Sequence, residues 1–158
     1  MEFPKRVYTH DEVSSARVLI DRGYRHRLRI VGSQAFRQKV REALKLIKTA
    51  GHYDFLRTYI RAIREIDGLS QLREAEASVW ANAYTVEKPI GAACLFVQKA
   101  WQMKRYIEGK VYYGHAGEAE AVDARLRFLE ELGRKSRDPK VSEECRRRIQ
   151  AWDESKFL

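Results

Sequence analysis

The run Leu95-Phe96-Val97-Gln98-Lys99-Ala100-Trp101-Gln102 lies inside the most apolar stretch of the chain, and its polar residues decide how the rest is read. Between Ile90 and Ile107 most positions are apolar or small, among them Ala92, Ala93, Cys94, Ala100 and Met103. A helix that is apolar nearly all round sits at the centre of a fold. Within it Gln98, Gln102 and Arg105 recur at i, i+4 and i+7, which places them in one narrow stripe. A buried amide without a partner costs about 1–3 kcal/mol. The stripe must therefore meet a cleft, a hydrogen-bonding neighbour or water. Pro89 suits the first turn, and a helix is expected over about 89–108.

Working outward, Thr9 and Glu12 have the spacing of a capping box, in which two side chains satisfy free backbone N–H groups at a helix start. A short helix is expected from His10 to about Arg22. In 24–31 alternation puts Arg25, Arg27 and Arg29 on one side and Tyr24, His26, Leu28 and Ile30 on the other, the pattern of a half-buried strand. Ser33 caps a helix over about 34–49 that buries Phe36, Val40, Leu44 and Ile47 and stops at Gly51. A third helix is expected to carry Tyr53, Leu56, Ile60 and Ile63 up to Asp67-Gly68. Residues 69–77 fit an irregular segment or a short helix, and 79–84 fit a second strand or a helix. A fifth helix is expected over 117–132. A sixth opens at Asp138-Pro139, with Val141, Cys145, Ile149 and Trp152 inward.

Gln98 and Gln102 stand at the spacing of the two histidines of an HExxH helix, with Lys99 at the place of its glutamate. The stretch 92–106, followed by Gly117-Glu118-Ala119-Glu120-Ala121, resembles the small zincin-type metallopeptidases of the gluzincin branch. Those pair a mixed N-terminal part with a buried HExxH helix and a downstream helix bearing a glutamate ligand. The resemblance implies a zincin-like fold over roughly 24–133, with Glu118 at a ligand position. It also implies a lost centre. Glutamine is a poor zinc ligand beside imidazole, thiolate or carboxylate, and a charged lysine cannot take a proton from water. The other reading of the same residues is an ordinary core helix with two polar positions.

Further chemistry is sparse. His10, His26, His52 and His115 read as surface, cap or strand residues; His115 and Glu118, three apart, could hold a metal on one side only. Cys94 in the apolar helix reads as a buried, inert thiol. No GxxxxGK[ST] or GxSxG motif occurs. Glu118, Glu120 and Asp123 suit the dipole at the start of their helix. Arg146-Arg147-Arg148 has Glu143 and Glu144 within pairing distance. The Arg25/Arg27/Arg29 row is the sharper basic feature. Alternate side chains of a strand stand about 7 Å apart, close to the interval between phosphates, and three like charges repel unless something negative meets them. Neighbouring carboxylates, a nucleic acid or an acidic protein could do so.

The 158 residues carry a formal charge of +9, with 44% hydrophobic and 34% charged residues, enough for one core. Residues 1–50 hold 12 Lys and Arg against 5 Asp and Glu, a net +7, so the excess is N-terminal. No apolar run is long enough to span a bilayer, Met1-Glu2-Phe3-Pro4-Lys5-Arg6 lacks a signal core, and no membrane partner is expected. With two cysteines some fifty residues apart and no CxxC, no disulfide is expected either. A cytoplasmic setting follows.

The expectation is a predominantly helical α+β fold of five or six helices with a small N-terminal β element. It forms one domain over 1–158, with its core at about 24–133 and a C-terminal helix at about 138–153. The leading functional reading is a non-catalytic, degenerate zincin domain that binds a partner or serves a structural or regulatory role, without cofactor or metal. The alternatives are a nucleic-acid-binding module using Arg25, Arg27 and Arg29, and an enzyme of unrecognised type. That enzyme would use a polar cleft of Gln98, Lys99, Gln102, Arg105 and Glu118.

Overall fold

The computed structural model describes residues 2–155. Helix α1 (His10–Asp21) opens on the expected capping box: the Thr9 hydroxyl accepts the Glu12 N–H at 3.2 Å and the Glu12 carboxylate accepts the Thr9 N–H at 2.8 Å. Strand β1 (Arg29–Val31) leads into helix α2 (Gln34–Ala50), capped by Ser33 and ended by Gly51 in the left-handed region at φ 82°. Glycine adopts that conformation without the Cβ clash other residues would pay there.

Helix α3 (Tyr53–Tyr59) is half the length the periodicity suggests. The chain becomes extended at Ile60 and enters strand β2 (Ala62–Glu65). The helical spacing of Leu56, Ile60 and Ile63 is overridden because β2 lies in the middle of the sheet, parallel to β1 on one side and to β4 (Ser78–Ala81) on the other. Ile60, Ile63 and Val79 are fully buried in that setting. Strand β3 (Gln71–Arg73) pairs antiparallel to β4 at the edge, and a 3-10 turn with Ala77 at φ 52° joins the two. The β component is therefore a small four-stranded mixed sheet of order β1-β2-β4-β3, built from strands between residues 29 and 81. Only 29–31 of the expected strand 24–31 pair in the sheet, because β2 offers no longer partner.

Helix α4 (Pro89–Ile107), α5 (Gly114–Lys135) and α6 (Pro139–Ser155) complete an α+β fold in which helix predominates. Helices α2 and α4 cover the sheet face that carries Ile63 and Val79, and one hydrophobic cluster joins them through Phe36, Val40, Ile47, Phe96 and Val97. Helix α5 packs on α4 and α2, and α6 packs on α5 through Cys145. Among the described residues no helix is long and apolar enough to cross a membrane.

Candidate functional site

Helix α4 is central as its composition requires, with ten of its residues buried. Its polar stripe does not line a single cleft. Gln102, 9% exposed, donates from Nε2 to the Tyr112 carbonyl at 3.3 Å, and its Oε1 is buried without a hydrogen-bond partner. Arg105 reaches the same connection between α4 and α5: Nε donates to the Val111 carbonyl at 2.5 Å and the guanidinium pairs with Glu120. Lys99 is half-buried; burial pulls its ammonium below the ordinary lysine value, and the Glu118 carboxylate opposes that shift. Gln102 and Arg105 thus tie the leading loop and the first turns of α5 to α4.

Gln98 goes elsewhere. It opens into a groove of about 470 Å³ between α4, α5 and α6, with Leu95, Arg125, Arg148 and Trp152. Arg125 lies over the Trp152 ring at 5.5 Å, with its Nε buried and unpartnered, while Arg148 Nε donates to Glu144 at 3.2 Å. Cys94 lines the floor, and burial pushes its thiol up to about 12. Glu118 faces a separate cavity of about 320 Å³ with His115, Asp123 and Trp152. The expected five-residue polar cleft is corrected to three places: a closed seam, a cationic groove and an acidic hollow. On a helix, i+1 is turned about 100° from i, so Lys99 cannot share the outlook of Gln98; Gln98 and Gln102 share a face but part because α6 meets α4 beside the first and the α4–α5 connection meets it at the second.

Both cysteines are free and buried. His52 lies 3.3 Å from Glu131, and His26 is buried against Phe3 and Tyr24 with Nε2 unpartnered. Among the described residues no group of three or more His, Cys, Asp or Glu side chains is placed to hold a metal ion.

Comparison with protein-family models, curated proteins and solved structures found no significant match to this chain.

The basic row keeps its alternation but only partly its strand. Arg25, Arg27 and Arg29 are exposed while His26 is buried and Tyr24, Leu28 and Ile30 are half-buried. Asp54 meets Arg25 at 3.9 Å. The side chains of Arg27 and Arg29 have no ion-pair or hydrogen-bond partner among the described residues, so neighbouring carboxylates do not neutralise the row. The structure adds what the sequence reading missed. The register sets Val31, Arg64, Trp80 and Gln71 side by side across the four strands, and Arg29, Ala62, Ser78 and Arg73 in the next row. These eight positions alternate with the buried Ile63 and Val79, so they form the sheet face opposite α2 and α4. Three are arginines and none is acidic. Arg64 was hidden inside an expected helix, and Trp80 could have been found by taking Val79 and Trp80 as opposite faces of a strand.

Proposed function

We propose that this chain is a binding protein: a zincin-like, pseudo-peptidase domain in which contacts between helices occupy the place of the metal centre. Its role is structural or regulatory rather than hydrolytic. The observation that carries this reading is the Gln102 amide tied to the Tyr112 carbonyl, three residues after a half-buried Lys99 at the base position. A peptidase of this type needs a base and imidazole ligands at these positions. Here the base position is a cation, and the ligand positions are amides that diverge. The kinship itself is supported by the layout: a mixed sheet, then a buried helix, then a helix that carries Glu118 near its start. A cytoplasmic setting is supported by the free thiols of Cys94 and Cys145, which a reducing compartment preserves.

Elemental analysis of the purified chain, isolated without chelator and dialysed against zinc, tests the reading. No stoichiometric zinc and no zinc-dependent cleavage of unfolded casein are expected. One tightly held zinc per chain, lost when Glu118 is replaced by Gln, would overturn it.

A further inference from the structure

We infer that the uncovered face of the sheet is a binding platform for single-stranded nucleic acid, with Arg29, Arg64 and Arg73 on the phosphates and the Arg73–Trp80 pair beneath a base. This names a partner for the binding role proposed above, but it requires nothing of the zincin kinship.

Three observations converge on this face. First, its charge is unopposed. The side chains of Arg29 and Arg64 are exposed and have no ion-pair or hydrogen-bond partner among the described residues. The two sit on neighbouring strands one row apart, since Val31 is the register partner of Arg64. Like charges at that separation raise each other's cost, and an anion between them removes it.

Second, the face is concave where the charge is. Ala62 and Ser78 floor a depression of about 200 Å³ rimmed by Lys5, Arg29, Arg61 and Arg64, against one carboxylate, Glu76. Arg61 is fixed there by donating to the Pro4 and Lys5 carbonyls. Small side chains at the floor and long cations at the rim leave room for a phosphate group rather than a bulky side chain.

Third, the aromatic element is present. The Arg73 guanidinium lies over the Trp80 ring, 4.3 Å from its centroid, and 3.5 Å from Gln71 Oε1. A guanidinium plate of this kind stacks on unpaired bases.

Strands about 4.8 Å apart put Arg29 and Arg73 about 14 Å from one another across the sheet. That separation spans two phosphate steps of an extended strand. A duplex is the poorer fit, because its bases are paired and not available for stacking.

The test is fluorescence anisotropy of the intact chain with end-labelled oligo-dT and oligo-U of about twelve nucleotides, a length within the usual site-size range, over a salt series. For three phosphate contacts on a single strand, log K should fall against log salt with a slope of about −2. Arg29→Ser/Arg64→Ser/Arg73→Ser is expected to weaken binding at least about tenfold at low salt and to flatten that slope. Arg134→Ser/Arg137→Ser/Arg146→Ser removes the same charge from exposed positions around α5 and α6 and should change affinity less than about twofold. Circular dichroism melts establish that both variants fold. Binding of either the deoxyribo or the ribo strand supports the platform, and preference between them identifies the source.

Absence of binding by the parent chain at low salt overturns it. So do equal losses in the two variants, or a polyglutamate peptide or a hairpin duplex competing as well as the single strand. A zinc-loaded chain that still binds oligonucleotide through these arginines would sink the non-catalytic reading and leave this one standing.

Discussion

Arg105 and Arg64 are the same side chain in opposite circumstances. In the seam between α4 and α5, Arg105 gives one N–H to the Val111 carbonyl and its charge to Glu120. On the outward face of the sheet, the side chains of Arg64 and Arg29 have no ion-pair or hydrogen-bond partner among the described residues. The seam's polar groups hold two helices together, so removing one should lower stability and leave binding alone. The side chains of Arg29 and Arg64 make no ion pair or hydrogen bond among the described residues, so removing one should do the reverse. The difference separates structural from functional charge on physical grounds.

The largest expected effect comes from the row that feeds the platform, where both circumstances meet. Arg25, Arg27 and Arg29 point outward, while His26 between them is turned inward. Burial, with the Arg61 charge adding to it, lowers the His26 pKa from 6.5 to about 4. The folded state therefore refuses a proton that the unfolded state accepts. Stability should be unaffected by this group above pH ~6.5, fall as the pH drops from there towards ~4, and lose nothing more below it. The full loss is about 3 kcal/mol at one pKa unit per 1.36 kcal/mol. His26→Phe should erase this part of the profile. Denaturant melts of both proteins at several pH values between neutral and 4 measure it, and parallel curves would show that His26 is charged in the folded protein.

Second in size is the seam itself. Arg105→Ala removes the bond to Val111 and the pairing with Glu120, whose half-exposed carboxylate water already screens. A loss of about 1–2 kcal/mol is expected, with oligonucleotide affinity unchanged. An affinity loss equal to that of the platform variant would erase the distinction between the two regions.

Gln102→Leu sharpens the same point with a smaller effect. It deletes a long hydrogen bond to Tyr112 but also a buried carbonyl oxygen without a partner. The two terms oppose each other, and the net change in thermal stability should stay within about 1 kcal/mol. A much larger loss would mean that Oε1 is satisfied by a bound water or ligand.

The ends of α1, α2 and α4 were legible because short-range chemistry writes them: Thr9 with Glu12, Ser33 with Phe36, Gly51, Pro89. Strand β2 was not, because Leu56, Ile60 and Ile63 have helical spacing and only pairing with β1 and β4 decides otherwise. Losing β2 also lost Arg64 and left Trp80 without a face, so the sequence showed a basic row where the fold holds a basic surface. For α4 the stripe was visible but not its division. Gln98 and Lys99 differ by one residue, and which neighbours meet each depends on how α5 and α6 return to α4, a long-range matter that periodicity does not carry.

The smallest effect is also the most discriminating. Arg64→Ser and Arg29→Ser, made singly, remove exposed cations that have no partner, from a sheet whose pairing is all backbone. Each should leave stability within about 0.5 kcal/mol of the parent. Any change should tend upward, since two neighbouring positive charges no longer repel. Urea titrations monitored by circular dichroism resolve a difference of this size when the slopes agree. A loss above about 1 kcal/mol would mean that these arginines are held by contacts within the protein, and the sheet face would then be another part of the scaffold. Neutral stability joined to weakened oligonucleotide binding is the pattern that only a functional surface produces.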